Sequence, residues 1–210
     1  MDAPNRQARR RIVVGITGAS GAIYGIRLLR LLRGLDVESH LVMSRSAHLT
    51  LNCETDLRPA DIHALADVVH ANGDIGAAIA SGSFPADGMV IAPCSIRTLS
   101  EIASGVTSSL MSRAADVMLK ERRRLVLMVR ETPLHAGHLR SMATVTDIGA
   151  IVYPPVPAFY ARPASLEEMV DYSLGRVLDL FGLDAPLAGR WNGVAAKRNP
   201  GNPGDAAHVA

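Results

Sequence analysis

The residues best suited to chemistry stand directly after short apolar runs. Gly18-Ala19-Ser20-Gly21 follows the first run, and Ser95-Ile96-Arg97-Thr98 follows a later one. Small residues and hydroxyl groups at a helix N-terminus offer free N–H groups to an anion. Two such turns at the ends of adjacent strands suit one phosphorylated cofactor. For the glycine segment alone, a purely structural turn remains the alternative.

The spacing of the glycines argues against a dinucleotide site. Gly15, Gly18 and Gly21 do not form the G-x-G-x-x-G pattern, and the second strand ends at Met43-Ser44 without the acid that would hold a ribose. We therefore favour a phosphate or flavin contact at this turn.

Arg130 and Glu131 follow another apolar run. An arginine there can bind a phosphate or a ring carbonyl, and a glutamate can transfer protons; an internal salt bridge is the alternative. Cys94 is interpreted as a buried thiol because no base is evident beside it. His135 and His138 have neither a clear acidic partner nor a third ligand, so no metal site is predicted.

Apolar strands that alternate with helices must position these residues. Such alternation predicts a parallel sheet with helices on both faces and a ligand site at the carboxyl ends of the strands. The prediction is a single domain over residues 11–191 with a three-layer α/β/α, flavodoxin-like or Rossmann-like fold, flanked by flexible termini at 1–10 and 192–210. Strands are expected at 12–17, 37–43, 88–93, 125–129 and 150–153, with a helix near 60–69.

Composition excludes several classes of protein. The 210 residues are 48% hydrophobic and 20% charged, with a net charge of +2 and only 4% aromatic residues. These values exclude a disordered chain and give no electrostatic case for nucleic acid. No stretch approaches the roughly 20 apolar residues of a membrane span, and the N-terminal segment lacks the apolar core of a signal peptide. Two cysteines form no disulfide framework, which favours the cytoplasm.

Five motifs in order resemble the UbiX-type flavin prenyltransferases, which include components of hydroxyarylic acid decarboxylase systems. The motifs are Thr17-Gly18-Ala19-Ser20-Gly21-Ala22, Pro93-Cys94-Ser95, residues 113–123, Arg130-Glu131-Thr132-Pro133-Leu134 and residues 154–160. The resemblance implies an enzyme that joins the dimethylallyl group of dimethylallyl monophosphate to N5 and C6 of reduced FMN, without a metal. It also implies a homododecamer with FMN at trimer contacts, which would bury much of the aliphatic surface. The product, prenylated FMN, would go to a UbiD-type aromatic acid decarboxylase.

The same resemblance implies roles for individual residues. The FMN contacts would be Gly18, Ala19, Ser20, Ser44, Ser95, Ile96, Arg97, Thr98 and Arg130, with Arg97 acting through its backbone. The catalytic residues would be Glu131, Ser20, Lys120 and Glu54. The prenyl phosphate would be bound by Tyr160, Arg176, Arg113 and Lys120.

Two other functions stay open at this point. One is a cysteine-decarboxylase-like flavoprotein, which shares the fold and the glycine turn but carries Pro-Ala-Ser-Ala-Asn-Thr where this chain has residues 93–98. The other is an FMN-binding carrier or accessory protein of a decarboxylase. The sequence leaves open which decarboxylase and aromatic acid are served, and only the resemblance favours a monophosphate donor over a pyrophosphate.

Overall fold

A computed structural model describes residues 9–185 as one parallel sheet between two layers of helices. The strands pair in the order β3-β2-β1-β4-β5-β6. This order reverses between β1 and β4, which opens a crevice at their carboxyl ends. The bounds of the strands are β1 (Arg11–Ile16), β2 (Glu38–Met43), β3 (Val68–Ala71), β4 (Gly88–Cys94), β5 (Arg124–Val129) and β6 (Ile151–Val152).

Helices cover both faces of the sheet. Ile12, Val14 and Ile16 of β1 lie in a core with the first three helices and the last one, whereas Val13 packs on the other face with the three helices between them. The period of two in a strand sends alternate side chains to opposite layers. The predicted single three-layer domain is therefore confirmed. The helices are α1 (Ala22–Gly34), α2 (Arg45–Glu54), α3 (Pro59–His63), α4 (Ile96–Ala103), α5 (Leu110–Lys120), α6 (Ala136–Asp147) and α7 (Leu166–Asp179).

The sequence-based prediction missed the edge strand β3. The five predicted strands are present, each within one residue of its expected ends, but the helix expected at 60–69 stops at His63. Val68 to Ala71 instead extend along the free edge of β2, with His70 opposite Val42. Val68 and Val69 are exposed, so no alternation of buried and exposed residues marked the strand. The backbone partner on β2 decides this conformation, and a four-residue pattern cannot reveal it.

Parts of two predictions lie outside the described residues. These are the end of the predicted domain at 186–191 and most of the predicted termini, 1–8 and 192–210. Between residues 9 and 185, no helix has both the length and the apolar character needed to cross a membrane.

Candidate functional site

A cleft of about 310 Å³ opens where β1, β2 and β4 end. Three helices begin at its rim with a serine as N-cap: Ser44 for α2, Ser95 for α4 and Ser109 for α5. Each serine hydroxyl accepts a hydrogen bond from an N–H group three residues later. The partial positive charges of three helix N-termini therefore add in one place. Such an arrangement suits a phosphate group.

Thr17 fastens the ends of β1 and β4 together. Its hydroxyl donates to the carbonyl of Pro93 at 2.7 Å and accepts from the N–H of Ser95 at 2.8 Å. The N–H of Arg130 donates to the carbonyl of Cys94 at 3.1 Å, which ties the end of β5 to β4. The polar segments that follow β1, β4 and β5 consequently meet at one edge of the sheet, as the sequence predicted.

The N-terminus of α4 faces the cleft with groups that can bind an anion. Ile96 and Arg97 belong to the first turn, whose N–H groups have no acceptor within the helix. The Arg97 guanidinium donates to Glu101 at 3.0 Å and its side chain is largely exposed. Arg97 thus partly offsets the charge of Glu101, which also lines the cleft, and its backbone N–H lies in the first turn of α4.

The N-terminus of α1 differs from expectation because Glu54 caps it. The Glu54 carboxylate accepts hydrogen bonds from the N–H groups of Gly21 at 3.0 Å and Ala22 at 2.9 Å. Burial raises the pKa of Glu54, but hydrogen bonds from Ser20, Ala22 and Gly21 and the nearby charge of Arg130 outweigh it, so the pKa is lowered overall. The expectation that α1 offers free N–H groups to an anion is therefore wrong for Gly21 and Ala22.

Gly18 serves close packing between the glycine turn and α2. A Cβ atom at Gly18 would lie well inside van der Waals contact of the Cβ of Ser46. The carbonyl of Gly18 also accepts from the Thr50 hydroxyl at 3.1 Å. Only a glycine lets the turn lie this close to the first turn of α2, and this contact sets one wall of the cleft.

We expect Gly18→Ala to destabilise the protein by about 1–3 kcal/mol, because the added methyl group must displace the start of α2. Gly73→Ala is the matched control, since a Cβ there meets nothing within 4 Å. Urea unfolding of both variants measures the difference. Equal free energies of unfolding for the two variants would show that Ser46 can move away from the added methyl group without loss of stability.

Arg130 and Glu131 are exposed at the same edge of the sheet. The Glu131 carboxylate accepts from the N–H of Thr132 at 3.0 Å. Within residues 9–185 no ion pair joins Arg130 to Glu131, so the salt-bridge alternative is wrong. The charge of Arg130 instead acts on Glu54, and on Tyr24, whose pKa is raised by burial and lowered by Arg130 to a smaller extent. Glu131 thus keeps an accessible carboxylate at the carboxyl edge of the sheet.

Tyr160 and Arg176 belong to a second group of polar residues. The Tyr160 hydroxyl lies 2.5 Å from the hydroxyl of Tyr172. Burial raises the pKa of Tyr153, the charge of Arg176 opposes this, and Tyr160 and Tyr24 are also close enough to affect it. Tyr24 is therefore close to both Tyr153 of this group and Arg130.

Lys120 lies at the opposite end of the sheet from Arg130. It ends α5 shortly before β5 begins at Arg124, whereas Arg130 follows the end of β5. The strand separates the two ends by about 20 Å at its usual rise per residue. Lys120 forms an ion pair with Glu121. A single chain therefore does not bring Lys120 to Arg130 and Glu131.

Arg113 also has its contacts within the chain at α5. Its guanidinium donates to Asp116 at 2.6 Å and to the carbonyl of Ala80 at 3.2 Å. Arg113 and Lys120 are seven residues apart, so they share one face of α5. Both are at least partly accessible there.

Sequence reasoning missed Asn72, which lines the cleft. Its backbone carbonyl accepts from the N–H of Leu110 at 2.8 Å, and its side-chain oxygen accepts from the N–H of Met111 at 3.0 Å. Asn72 stands directly after β3, so recognition of that strand would have placed it at the carboxyl edge. It holds the start of α5 against the cleft.

The cysteines and the histidine pair show no reactive or metal-binding arrangement within residues 9–185. Burial raises the pKa of Cys94 to about 12, which makes it a poor nucleophile, and Cys53 is an exposed free thiol. The rings of His135 and His138 lie 3.6 Å apart. Within the described part of the chain, no group of three or more His, Cys, Asp or Glu residues could hold a metal ion.

The parallel sheet and the three helix N-termini at its carboxyl edge define an α/β protein with a site that suits a phosphorylated ligand. The family model described as "Flavoprotein" matches residues 2–178. The flavin prenyltransferase UbiX of Escherichia coli K12 is 57% identical over 188 residues, which cover 88% of this chain and all of that protein. The enzyme of the same name from Thauera aromatica is 57% identical over 183 residues, 87% of this chain and 94% of its own. The chain is a flavoprotein and belongs to the UbiX flavin prenyltransferases.

Solved structures give the same result. The crystal structure of AnUbiX (PadA1) in complex with FMN and dimethylallyl pyrophosphate superposes with a TM-score of 0.88 at 57% identity, covering 89% of this chain and all of that one. A dodecameric FMN-dependent UbiX-like decarboxylase from Escherichia coli O157:H7 gives 0.85 at 47% identity, covering 87% of this chain and all of its own. A PPC decarboxylase mutant, at 18% identity and a TM-score of 0.59, covers 82% of this chain and 99% of its own and shares the fold alone.

Proposed function

We propose that this chain transfers the dimethylallyl group of dimethylallyl monophosphate to N5 and C6 of reduced FMN. The observation that carries the proposal is the meeting of three helix N-termini at one cleft, with Arg130 and Glu131 following β5 at the same edge of the sheet. A site for a phosphorylated ligand and a pair of charged groups thereby lie at one edge of the sheet. The identity of 57% to flavin prenyltransferases supports the same activity.

The cleft fits the phosphate end of FMN. Ser95 to Thr98 would hold the phosphate through the hydroxyl groups and the first N–H groups of α4. The remaining contacts would come from Gly18, Ala19, Ser20, Ser44 and Arg130. Reduced FMN supplies the ring atoms N5 and C6 that receive the prenyl group, and the protein supplies position and charge.

The prenyl phosphate would be bound by residues of more than one copy of the chain. Tyr160 and Arg176 belong to the group near Tyr24 and Tyr153, whereas Lys120 lies at the opposite end of the sheet, before β5 begins. As the allylic C–O bond breaks, its electron pair leaves with the phosphate, so cations and a hydroxyl at those oxygens stabilise departure. We assign Lys120 and Arg113 to this task in a neighbouring copy.

We also propose that the chain forms a homododecamer, as the dodecameric UbiX-like decarboxylase of Escherichia coli O157:H7 does. Val156, Phe159 and Leu166 are more than 70% exposed around the loop that carries Tyr160. Apolar side chains of this size are normally covered in soluble proteins. A neighbouring copy that covers them would also exclude water from the allylic cation, which must react with the flavin alone.

Glu131, Ser20 and Glu54 are assigned to the flavin's reacting side. Glu131 would move the protons that ring closure adds and removes. Glu54 is held ionised against α1 by Gly21 and Ala22, and its hydrogen bond with Ser20 fixes that hydroxyl near N5.

The product would pass to a UbiD-type aromatic acid decarboxylase in the cytoplasm. Prenylated FMN has no further use in a site built to form it, so an acceptor protein must take it. The free thiols of Cys53 and Cys94 are compatible with a reducing compartment.

An anaerobic assay tests the proposed function. Protein, reduced FMN and either dimethylallyl monophosphate or dimethylallyl pyrophosphate are mixed, and the flavin is analysed by mass spectrometry. We expect the mass of one prenyl group on the flavin with the monophosphate. Bound FMN without added mass from either donor would contradict the proposal and favour the carrier function. If prenylated FMN forms only with dimethylallyl pyrophosphate, then the pyrophosphate is the donor and the proposed monophosphate is not.

A further inference from the structure

Tyr172 makes a close contact with a residue of the proposed donor site. The two hydroxyl oxygens of Tyr160 and Tyr172 are 2.5 Å apart, and the rings meet nearly at right angles, with centroids separated by 5.9 Å. This edge-to-face geometry is favourable for aromatic pairs. The pair is therefore joined both by its rings and by its hydroxyls.

The position of Tyr172 on α7 brings Tyr160 next to Arg176. Tyr172 and Arg176 are four residues apart in α7, so they project from the same face of the helix. Tyr160 comes from the separate turn Phe159–Ala161 and is 58% exposed. The contact with Tyr172 is one interaction that holds this exposed side chain beside the α7 face that carries Arg176.

The contact between the hydroxyls restricts where the Tyr160 oxygen can lie. Either hydroxyl can donate to the other across the 2.5 Å contact. The hydrogen bond with Tyr160, followed by burial, raises the pKa of Tyr172, so Tyr172 stays protonated at neutral pH. Whichever hydroxyl donates, the contact fixes the position of the Tyr160 hydroxyl relative to α7.

We propose that Tyr172 is a positioning residue that orients the Tyr160 hydroxyl toward the phosphate of the prenyl donor. The inference rests on the proposed function, because it requires that phosphate to lie between Tyr160 and Arg176. Tyr172 itself does not touch the donor. It acts through the position and orientation of the Tyr160 hydroxyl.

Tyr172→Phe tests the proposal, because it keeps the ring and removes the hydroxyl. We expect the Kd for dimethylallyl monophosphate to rise about three- to tenfold, the usual effect of losing one hydrogen bond, here the one between Tyr172 and Tyr160. Calorimetry on the protein loaded with oxidised FMN measures this Kd. The Kd for FMN and the thermal midpoint should change little. The same rise should appear in KM of the reduced enzyme, with kcat less affected.

Tyr153→Phe is the matched control. Tyr153 is also partly buried near Arg176, but its hydroxyl makes no hydrogen bond within residues 9–185. We expect its Kd for the donor to match that of the unmodified protein. Equal effects of Tyr153→Phe and Tyr172→Phe would overturn the proposal, since general loss of polarity near Arg176 would then explain both.

A double-mutant cycle with Tyr160→Phe separates positioning from an independent contribution. If Tyr172 acts through Tyr160, then Tyr172→Phe has no further effect on donor binding once the Tyr160 hydroxyl is gone. Additive losses would overturn the proposal. If the unmodified protein neither binds the donor nor prenylates FMN, the proposed function fails and this inference falls with it. Normal binding and turnover with an unaffected Tyr172→Phe variant refute the inference alone.

Discussion

Glu131→Gln will slow the formation of prenylated FMN by about 10²- to 10⁴-fold, the range that a positioned acid or base contributes. The amide keeps the size of the side chain and can still accept from the N–H of Thr132. It cannot take up and release a proton. FMN binding should be unchanged, because Glu131 is not one of the proposed FMN contacts and its replacement keeps the hydrogen bond to Thr132. Single-turnover assays under anaerobic conditions measure the rate, and quenching of flavin fluorescence measures binding.

Glu167→Gln is the control for this experiment. Glu167 is an exposed acid in the first turn of α7, so its replacement removes the same charge away from the glycine turn and β5. We expect nearly unmodified rates. Loss of FMN binding in Glu131→Gln would instead make Glu131 a structural residue, and an unchanged rate would remove it from the proton transfers.

Lys120→Met will reduce prenylation by about 10²-fold or more, the usual loss when one stabilising cation or donor is removed from a transition state. This effect is expected although Lys120 lies at the far end of β5 from Arg130 in its own chain. Arg124→Met removes a different exposed cation from the same end of the sheet and should have little effect. Steady-state assays of both variants at saturating FMN measure the difference.

Mixed oligomers test whether two chains build one site. Lys120→Met and Glu131→Gln chains, each nearly inactive alone, are coexpressed with different tags and purified together. If Lys120 and Glu131 come from neighbouring copies, random mixing leaves about a quarter of the sites with both residues intact, because half of the chains carry each one. Activity near that fraction is expected. Mixed oligomers as inactive as the separate variants would place both residues in one chain and contradict the shared site.

The sequence predicted the parts of the site that depend on strand ends. Residues that follow β1, β4 and β5 meet at one edge because parallel strands all point the same way, so Gly18, Ser95 and Arg130 could be grouped before any coordinates. Asn72 was not predicted because the preceding strand, β3, is an exposed edge strand without the alternation of apolar and polar residues that marks a strand. Its conformation comes from pairing with β2, which is a long-range interaction.

The cap of α1 shows a second limit of the sequence. A glycine turn before a helix predicts free N–H groups for a ligand, yet here Gly21 and Ala22 donate to Glu54. Glu54 is distant along the chain and arrives only because α2 ends beside α1. Composition does not distinguish a helix N-terminus capped by a distant carboxylate from one that is open.

The alternation of apolar strands and helices in this sequence by itself determined a parallel three-layer fold with its polar residues at the carboxyl edge. A helix between two neighbouring strands returns the chain to the start of the sheet, so the strands run parallel, and side-chain alternation within a strand is local. Only the tertiary structure decided which of those residues are available. In the folded chain Glu54 caps α1, whereas the N-terminus of α4 faces the cleft. Tyr160 contacts Tyr172, and Lys120 lies at the other end of the sheet from Arg130. These outcomes depend on contacts between segments distant in sequence, and such contacts are fixed only when the elements pack.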